Sequence, residues 1–176
     1  MMTALFKPLG FKPFGLVAAL ALVACNGETA EATPEPTATA GETAANDNVD
    51  PDSGLEVIDV TVTTDEGTHT FRTEVAATDQ QKARGMMFRS EMAPDTAMLF
   101  PYEAPRDLGF WMRNVSLELD IIFIAQDGTI INIEAGEPYN EESVFSEAPA
   151  IAVLELLGGT SAELGIEPGD TVSWEQ

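Results

Sequence analysis

Four residues pair reactive chemistry with apolar surroundings: Trp111 and Arg113 in Phe110-Trp111-Met112-Arg113-Asn114, Asp120 in Leu119-Asp120-Ile121-Ile122-Phe123-Ile124, and Glu155 inside the run Ile151–Leu157. A guanidinium beside an indole can hold an anion in its N–H fork while the ring stacks against the ligand. If residues 108–115 are extended, Trp111 and Arg113 share one face and Phe110, Met112 and Asn114 the other. Arg113 and Asp120 flank a short connection, which allows a charge-assisted pair. Such a pair either fixes a hairpin register or leaves Arg113 as an anion-recognising fork, with Arg84 and Arg89 nearby. Asp120 and Glu155 facing each other across a cleft would instead suit acid–base hydrolysis of an envelope polymer. The structural alternative for Glu155 is a strand carboxylate satisfied by loop amides or by an arginine.

Arg84, Arg89, Arg106 and Arg113 concentrate positive charge in a chain with 30 acidic and 8 basic residues. Met86, Met87, Met92, Met98 and Met112 are five of its seven methionines. Thioethers, those of Met86, Met87, Met98 and Met112 above all, suit soft Cu(I), but methionine between Phe and Leu is also a core gap-filler. His69 is the sole histidine, which excludes a multi-histidine metal site. No glycine-rich phosphate loop or dinucleotide fingerprint is present, so no cofactor is expected. Gly158-Gly159-Thr160 opens a helical turn whose amides could face an anion or simply be capped.

The elements that must position these residues are mostly strands. Val57–Val62 and Thr70–Val75 alternate in β-branched and polar residues around Asp65-Glu66-Gly67, which predicts a hairpin. Thr78-Asp79-Gln80-Gln81 has the form of a capping box opening a short helix, closed by a left-handed Gly85. Strands are expected at 97–102, 108–114, 119–125 and 129–135, the last two joined by the tight turn Gln126-Asp127-Gly128. The continuous apolar run 150–157 suits a central strand. Thr160-Ser161-Ala162-Glu163 repeats the capping box for one turn ending at Gly165, and Pro168-Gly169-Asp170 leads into a final strand, 171–175. This pattern predicts a mainly β, mostly antiparallel fold with an α+β margin: a compact barrel or sandwich with two short helices.

Ahead of the domain, Lys7 and Lys12 precede an apolar run, Phe14–Ala24, too short to span a bilayer, followed by Leu22-Val23-Ala24-Cys25. This resembles a bacterial lipoprotein signal, which implies cleavage after residue 24 and acylation of Cys25, the only cysteine. Loss of Lys7 and Lys12 leaves six basic residues against the 30 acidic ones, a charge of about −24. Such a charge opposes nucleic-acid binding and contact with anionic headgroups, so membrane attachment is expected through the acyl chains. Residues 25–54 read as the lipidated cysteine and an acidic, disordered tether, and 55–176 as one domain. Asn26 is not the aspartate that retains lipoproteins at the inner membrane of enteric bacteria. The expected location is therefore the periplasmic face of the outer membrane.

Arg84-Gly85-Met86-Met87-Phe88-Arg89, Met98-Leu99-Phe100, Phe110-Trp111-Met112-Arg113-Asn114, Leu119-Asp120, Val153-Leu154-Glu155 and Gly159-Thr160 through Gly169-Asp170 resemble the domain-of-unknown-function 192 family. The resemblance runs in order over residues 57–175 and implies the fold of that family. Val115 and Leu117-Glu118 depart from its threonine and Ile-Pro pattern. The family brings no agreed activity. The sequence therefore points to a non-catalytic, lipid-anchored module binding an envelope ligand or protein through Trp111, Arg113, Asp120, Arg84 and Arg89. A hydrolase using Asp120 and Glu155 and a Met-rich Cu(I)-binding protein stand as alternatives.

Overall fold

A computed structural model describes residues 48–175. The signal segment, Cys25 and the tether up to residue 47 lie outside these residues. Strands β1 (Glu56–Thr63) and β2 (Thr68–Val75) form the expected hairpin, in register from Glu56–Val75 to Thr63–Thr68. Helix α1 (Asp79–Arg84) begins with a complete capping box: Thr78 Oγ1 accepts from the Gln81 amide and Gln81 Oε1 from the Thr78 amide. Gly85 closes it at φ 44° and ψ −131°, outside the left-handed helical region expected, with its amide on the Gln81 carbonyl. A side chain there would be strained and would put a Cβ 3.2 Å from the Phe100 ring.

Strand β3 (Thr96–Arg106) follows parallel to β2, with Arg72 opposite Thr96 and Val75 opposite Leu99. This is the one parallel pair in an otherwise antiparallel sheet, as a mostly antiparallel fold allows, and it arises because α1 carries the chain back over a βαβ crossover. Next come β4 (Gly109–Phe110), β5 (Leu119–Ile124), β6 (Ile130–Gly136), β7 (Val144–Phe145), β8 (Ala150–Leu157), α2 (Thr160–Leu164) and β9 (Thr171–Trp174). The main sheet has seven strands in the order β6-β5-β8-β3-β2-β1-β9, and β4 pairs with β7 in a small second sheet. Strand β8 is interior, antiparallel to both β3 and β5 and covered on both faces, which explains why it is apolar apart from Glu155.

The sheet curls without closing into a barrel. At one corner its two edges approach through Ile130 N–H to the Asp170 carbonyl, Gly169 N–H to the Ile130 carbonyl and Val172 N–H to the Gly128 carbonyl, at 2.8–2.9 Å. The rest of β6 and β9 stay unpaired with each other. Each face carries its own core. Val60, Val62, Phe71, Leu99, Ile122, Ile124, Leu154, Leu156 and Val172 pack with Ile166 on one side. Met86, Met98, Phe100, Met112, Leu119, Ile121, Phe123 and Val153 pack on the other. Each large side chain buried this way contributes about 1.5–3 kcal/mol.

Residues 48–54, which the composition places in the tether, form a turn against the domain. Asp50 Oδ1 accepts from the amides of Asp52 and Ser53, Asp50 Oδ2 lies 3.4 Å from Arg72, and Val49 bridges to Glu56. Backbone hydrogen bonds and the charge of Asp50 hold this piece despite its polar composition.

Candidate functional site

Asp120 and Glu155 are both buried, at 9% and 5% exposure. On adjacent strands β5 and β8, Asp120 is opposite Leu156 while Ile121 is opposite Glu155. Side chains directly opposite share a face, so this one-residue offset sends the two carboxyls to opposite sides of the sheet. They cannot act across one cleft, which corrects the expectation of a hydrolytic pair.

Asp120 does not meet Arg113 either. Its Oδ1 accepts from the Gly159 amide at 2.9 Å and its Oδ2 from the Ser161 amide at 2.7 Å. A strand carboxylate thereby caps the N-terminus of α2, replacing the capping box expected from Thr160 and Glu163; α2 has Gly159 at its cap and no side-chain cap bond of its own. The anion that the Gly159 turn could hold is thus Asp120 itself.

On the opposite face, Glu155 lies in a cross-sheet row: Glu74 is opposite Met98, Met98 is opposite Glu155, and Glu155 is opposite Ile121. Arg89 donates to the two Glu74 oxygens from its two terminal guanidinium nitrogens, at 2.5 and 2.7 Å. This pairing raises the Arg89 pKa. Glu155 Oε2 has no hydrogen-bond partner. Burial, opposed only weakly by the field of Arg89, pushes the Glu155 pKa up to about 8, so the acid is protonated at neutral pH.

Glu155 reaches a crevice of about 370 Å³ lined by Phe100, Tyr102, Phe110, Trp111, Met86 and Met87, with Lys82 and Arg84 from the last turn of α1. Phe100 and Phe110 meet edge-to-face at 5.0 Å. Lys82 Nζ lies 4.6 Å from the centroid of the Tyr102 ring. The strand expected at 108–114 shortens to β4, and residues 111–114 form a turn with Asn114 at φ 58°. The alternation survives nonetheless: Met112 is buried, while Trp111 and Arg113 face outward with the guanidinium 5.5 Å from the indole centroid. Backbone bonds from Phe88 N–H to the Asn114 carbonyl, Met112 N–H to the Asn140 carbonyl and Tyr139 N–H to the Val115 carbonyl tie two loops, those after α1 and after β6, to this turn. Phe88 and Tyr139 adopt positive φ there and are exposed, with Phe145 packed over Gly109.

Of the residues singled out by sequence, Trp111, Arg84 and Glu155 converge on the crevice, as do Met86 and Met87. Arg113 lies over Trp111, Arg89 is engaged with Glu74, and Asp120 is on the far face. Met86, Met98 and Met112 are buried among Phe and Leu side chains. Met112 Sδ sits against Gly136, where a Cβ would lie 2.7 Å away, so these thioethers fill core space in the manner of the gap-filling reading. Among the described residues no group of three or more His, Cys, Asp or Glu is placed to hold a metal. Lys82, Tyr102, Phe100 and Phe110 escaped the sequence reading as site residues. The period-two alternation Met98, Phe100, Tyr102 was the available signal for two of them.

A larger groove, about 1010 Å³, runs between β1, β9 and the end of β3 past Ile58, Trp174 and Pro105. The three buried, unpartnered side-chain atoms among the described residues are His69 Nε2, Ser161 Oγ and Glu155 Oε2. None belongs to a residue lining that groove, whereas Glu155 lines the smaller crevice, which is therefore the better candidate site.

Fold and site together define a compact, β-rich α+β domain with one open mixed sheet and a buried acid under an aromatic crevice. The chain belongs to the DUF192 family, described as "Uncharacterized ACR", which it matches over residues 60–174. A crystal structure of a protein of unknown function from Novosphingobium aromaticivorans DSM 12444 is similar at 45% identity and a TM-score of 0.71, over 74% of this chain and 94% of that one. Another, of a protein from Sinorhizobium meliloti 1021 described as a candidate transcription regulator, is similar at 40% identity and a TM-score of 0.66, over 68% of this chain and 95% of that one. No curated protein matches this sequence.

Proposed function

We propose that this protein is a lipid-anchored, periplasmic, non-catalytic binding module of the cell envelope, facing the periplasm from the outer membrane. In this reading Cys25 carries the acyl chains, and the crevice over Glu155 takes a small ligand or the end of a polymeric one. The observation that carries it is Glu155 Oε2, buried without a partner where the crevice meets the core. An unsatisfied buried polar atom costs about 1–3 kcal/mol, and a ligand that supplies its partner recovers that cost on binding. Trp111 and Arg84 give the ligand a stacking surface and a charge, and Arg113 extends the charged rim over the indole. Glu74, two strands away in the same row, is taken up by Arg89, so Glu155 has no free carboxylate partner there for acid–base chemistry. Nucleic acid is not the partner in this reading: a formal charge of −22 repels phosphate, whatever the description of the Sinorhizobium protein.

Thermal denaturation of the full chain against anionic metabolites, peptidoglycan fragments, oligosaccharides and Cu(I) tests the binding role. A ligand at about 100 times its Kd adds roughly 2.7 kcal/mol. The expected result is a saturable shift lost in Trp111→Ala; a shift that survives Trp111→Ala and Arg84→Ala together places binding elsewhere. For the anchor, radiolabelled palmitate should be incorporated by the native chain and not by Cys25→Ala. Equal labelling of both would remove the lipoprotein reading.

A further inference from the structure

We propose that the crevice is selective for a small organic anion with an apolar body, the negative group held by Lys82 and Arg84 and accepting a hydrogen bond from Glu155, and the body lying along the aromatic wall. This inference deepens the binding role proposed above and rests on it. Four observations support it. The first is the charge of the lining: Lys82 and Arg84 are both present, and Glu155 is the sole carboxyl. In a chain with 30 acidic and 8 basic residues, that is a local reversal of sign. The second is availability. The only ion pairs within 4.0 Å among the described residues are Arg72–Asp50 and Arg89–Glu74, so Lys82 and Arg84 are free of carboxylates.

The third is the wall. Phe100, Phe110, Trp111, Met86 and Met87 offer aromatic and thioether surface, and a crevice of about 370 Å³ is at the small end of ligand pockets. The fourth is Glu155. An ionised carboxylate there would repel an anion, but burial keeps the proton on, and a carboxylic acid is a neutral hydrogen-bond donor with an unused oxygen. The charged groups around it are Arg89, paired with Glu74, and Lys82 and Arg84 on α1. Tyr102 on β3 also lines the crevice, and its phenol is held protonated because burial raises its pKa.

Octanoate, octanamide and octylamine share a chain and differ in charge, which makes them suitable probes for calorimetric titration of the full chain. Octanoate should bind about tenfold more tightly than octanamide, with octylamine weakest. Lys82→Ala/Arg84→Ala should bring octanoate down to the octanamide level while leaving octanamide unchanged. For the native chain, octanoate affinity should fall as pH rises through about 8 and Glu155 ionises, whereas Glu155→Gln should bind with no such fall. Octanamide or octylamine binding as tightly as octanoate, with Trp111→Ala abolishing it, would overturn the anion preference and leave the crevice as a binding site. Failure of all three probes to bind would overturn the inference, and the broader ligand screen would then decide the binding role by itself.

Discussion

Asp120 and Glu155 are buried acids on neighbouring strands, one register step apart, and they have opposite fates. Asp120 faces the side closed by α2, where two backbone amides meet its two oxygens. Glu155 faces the side closed by loops, where one oxygen meets nothing and burial holds the proton in place. A carboxylate with each oxygen bound to a fixed donor is a fastener. One left unsatisfied beside a cavity is a cost that packing alone does not repay. Under the proposed function, the difference gives stability to one face of the sheet and recognition to the other.

The sharpest break in this comparison is Asp120→Ala, which removes both bonds and leaves the Gly159 and Ser161 amides unpaired. It should cost about 3–4 kcal/mol in urea denaturation. Arg89→Ala should follow at about 2–3 kcal/mol, because the Glu74 side chain, 12% exposed, loses both its guanidinium bonds. Glu155→Leu should act with the opposite sign, stabilising by about 1–2 kcal/mol at pH 7 by removing an unsatisfied acid from an apolar setting. The pH dependence carries its own signature. Glu155 holds its proton up to about 8 in the fold and loses it near the ordinary carboxyl value when unfolded, so its contribution to stability declines between those two points as pH rises. Thr78→Ala, which breaks the capping box of α1, should cost about 1 kcal/mol. Trp111→Ala, at a position 44% exposed, should cost less than about 0.5 kcal/mol while removing ligand binding.

Much of the fold was legible because local chemistry agreed with tertiary placement. The hairpin around Asp65-Glu66-Gly67, the capping box at Thr78, the Asp127-Gly128 turn and the buried strand 150–157 are all present. The parallel β2–β3 pairing was not legible, since alternation within a strand carries no information about a partner's direction. Residues 111–114 read as strand because alternating burial does not require a ladder; Met112 is buried by loops tied through Asn114, Asn140 and Val115. The site was half legible. Trp111, Arg84 and Glu155 were visible as charged or aromatic residues in apolar sequence, yet the face that each carboxyl takes depends on a one-residue register between strands some 30 positions apart. Only the pairing of Ile121 with Glu155 separates Asp120 from it.

The most direct test is a pH titration of the Glu155 side-chain carboxyl by carbon-13 NMR in the full chain, with Glu155→Gln to assign the resonance. An unsatisfied acid beneath the crevice should titrate near pH 8. Titration in the ordinary carboxyl range, about 4–5, would mean that Glu155 is as well partnered as Asp120, and the division between the two faces would fail.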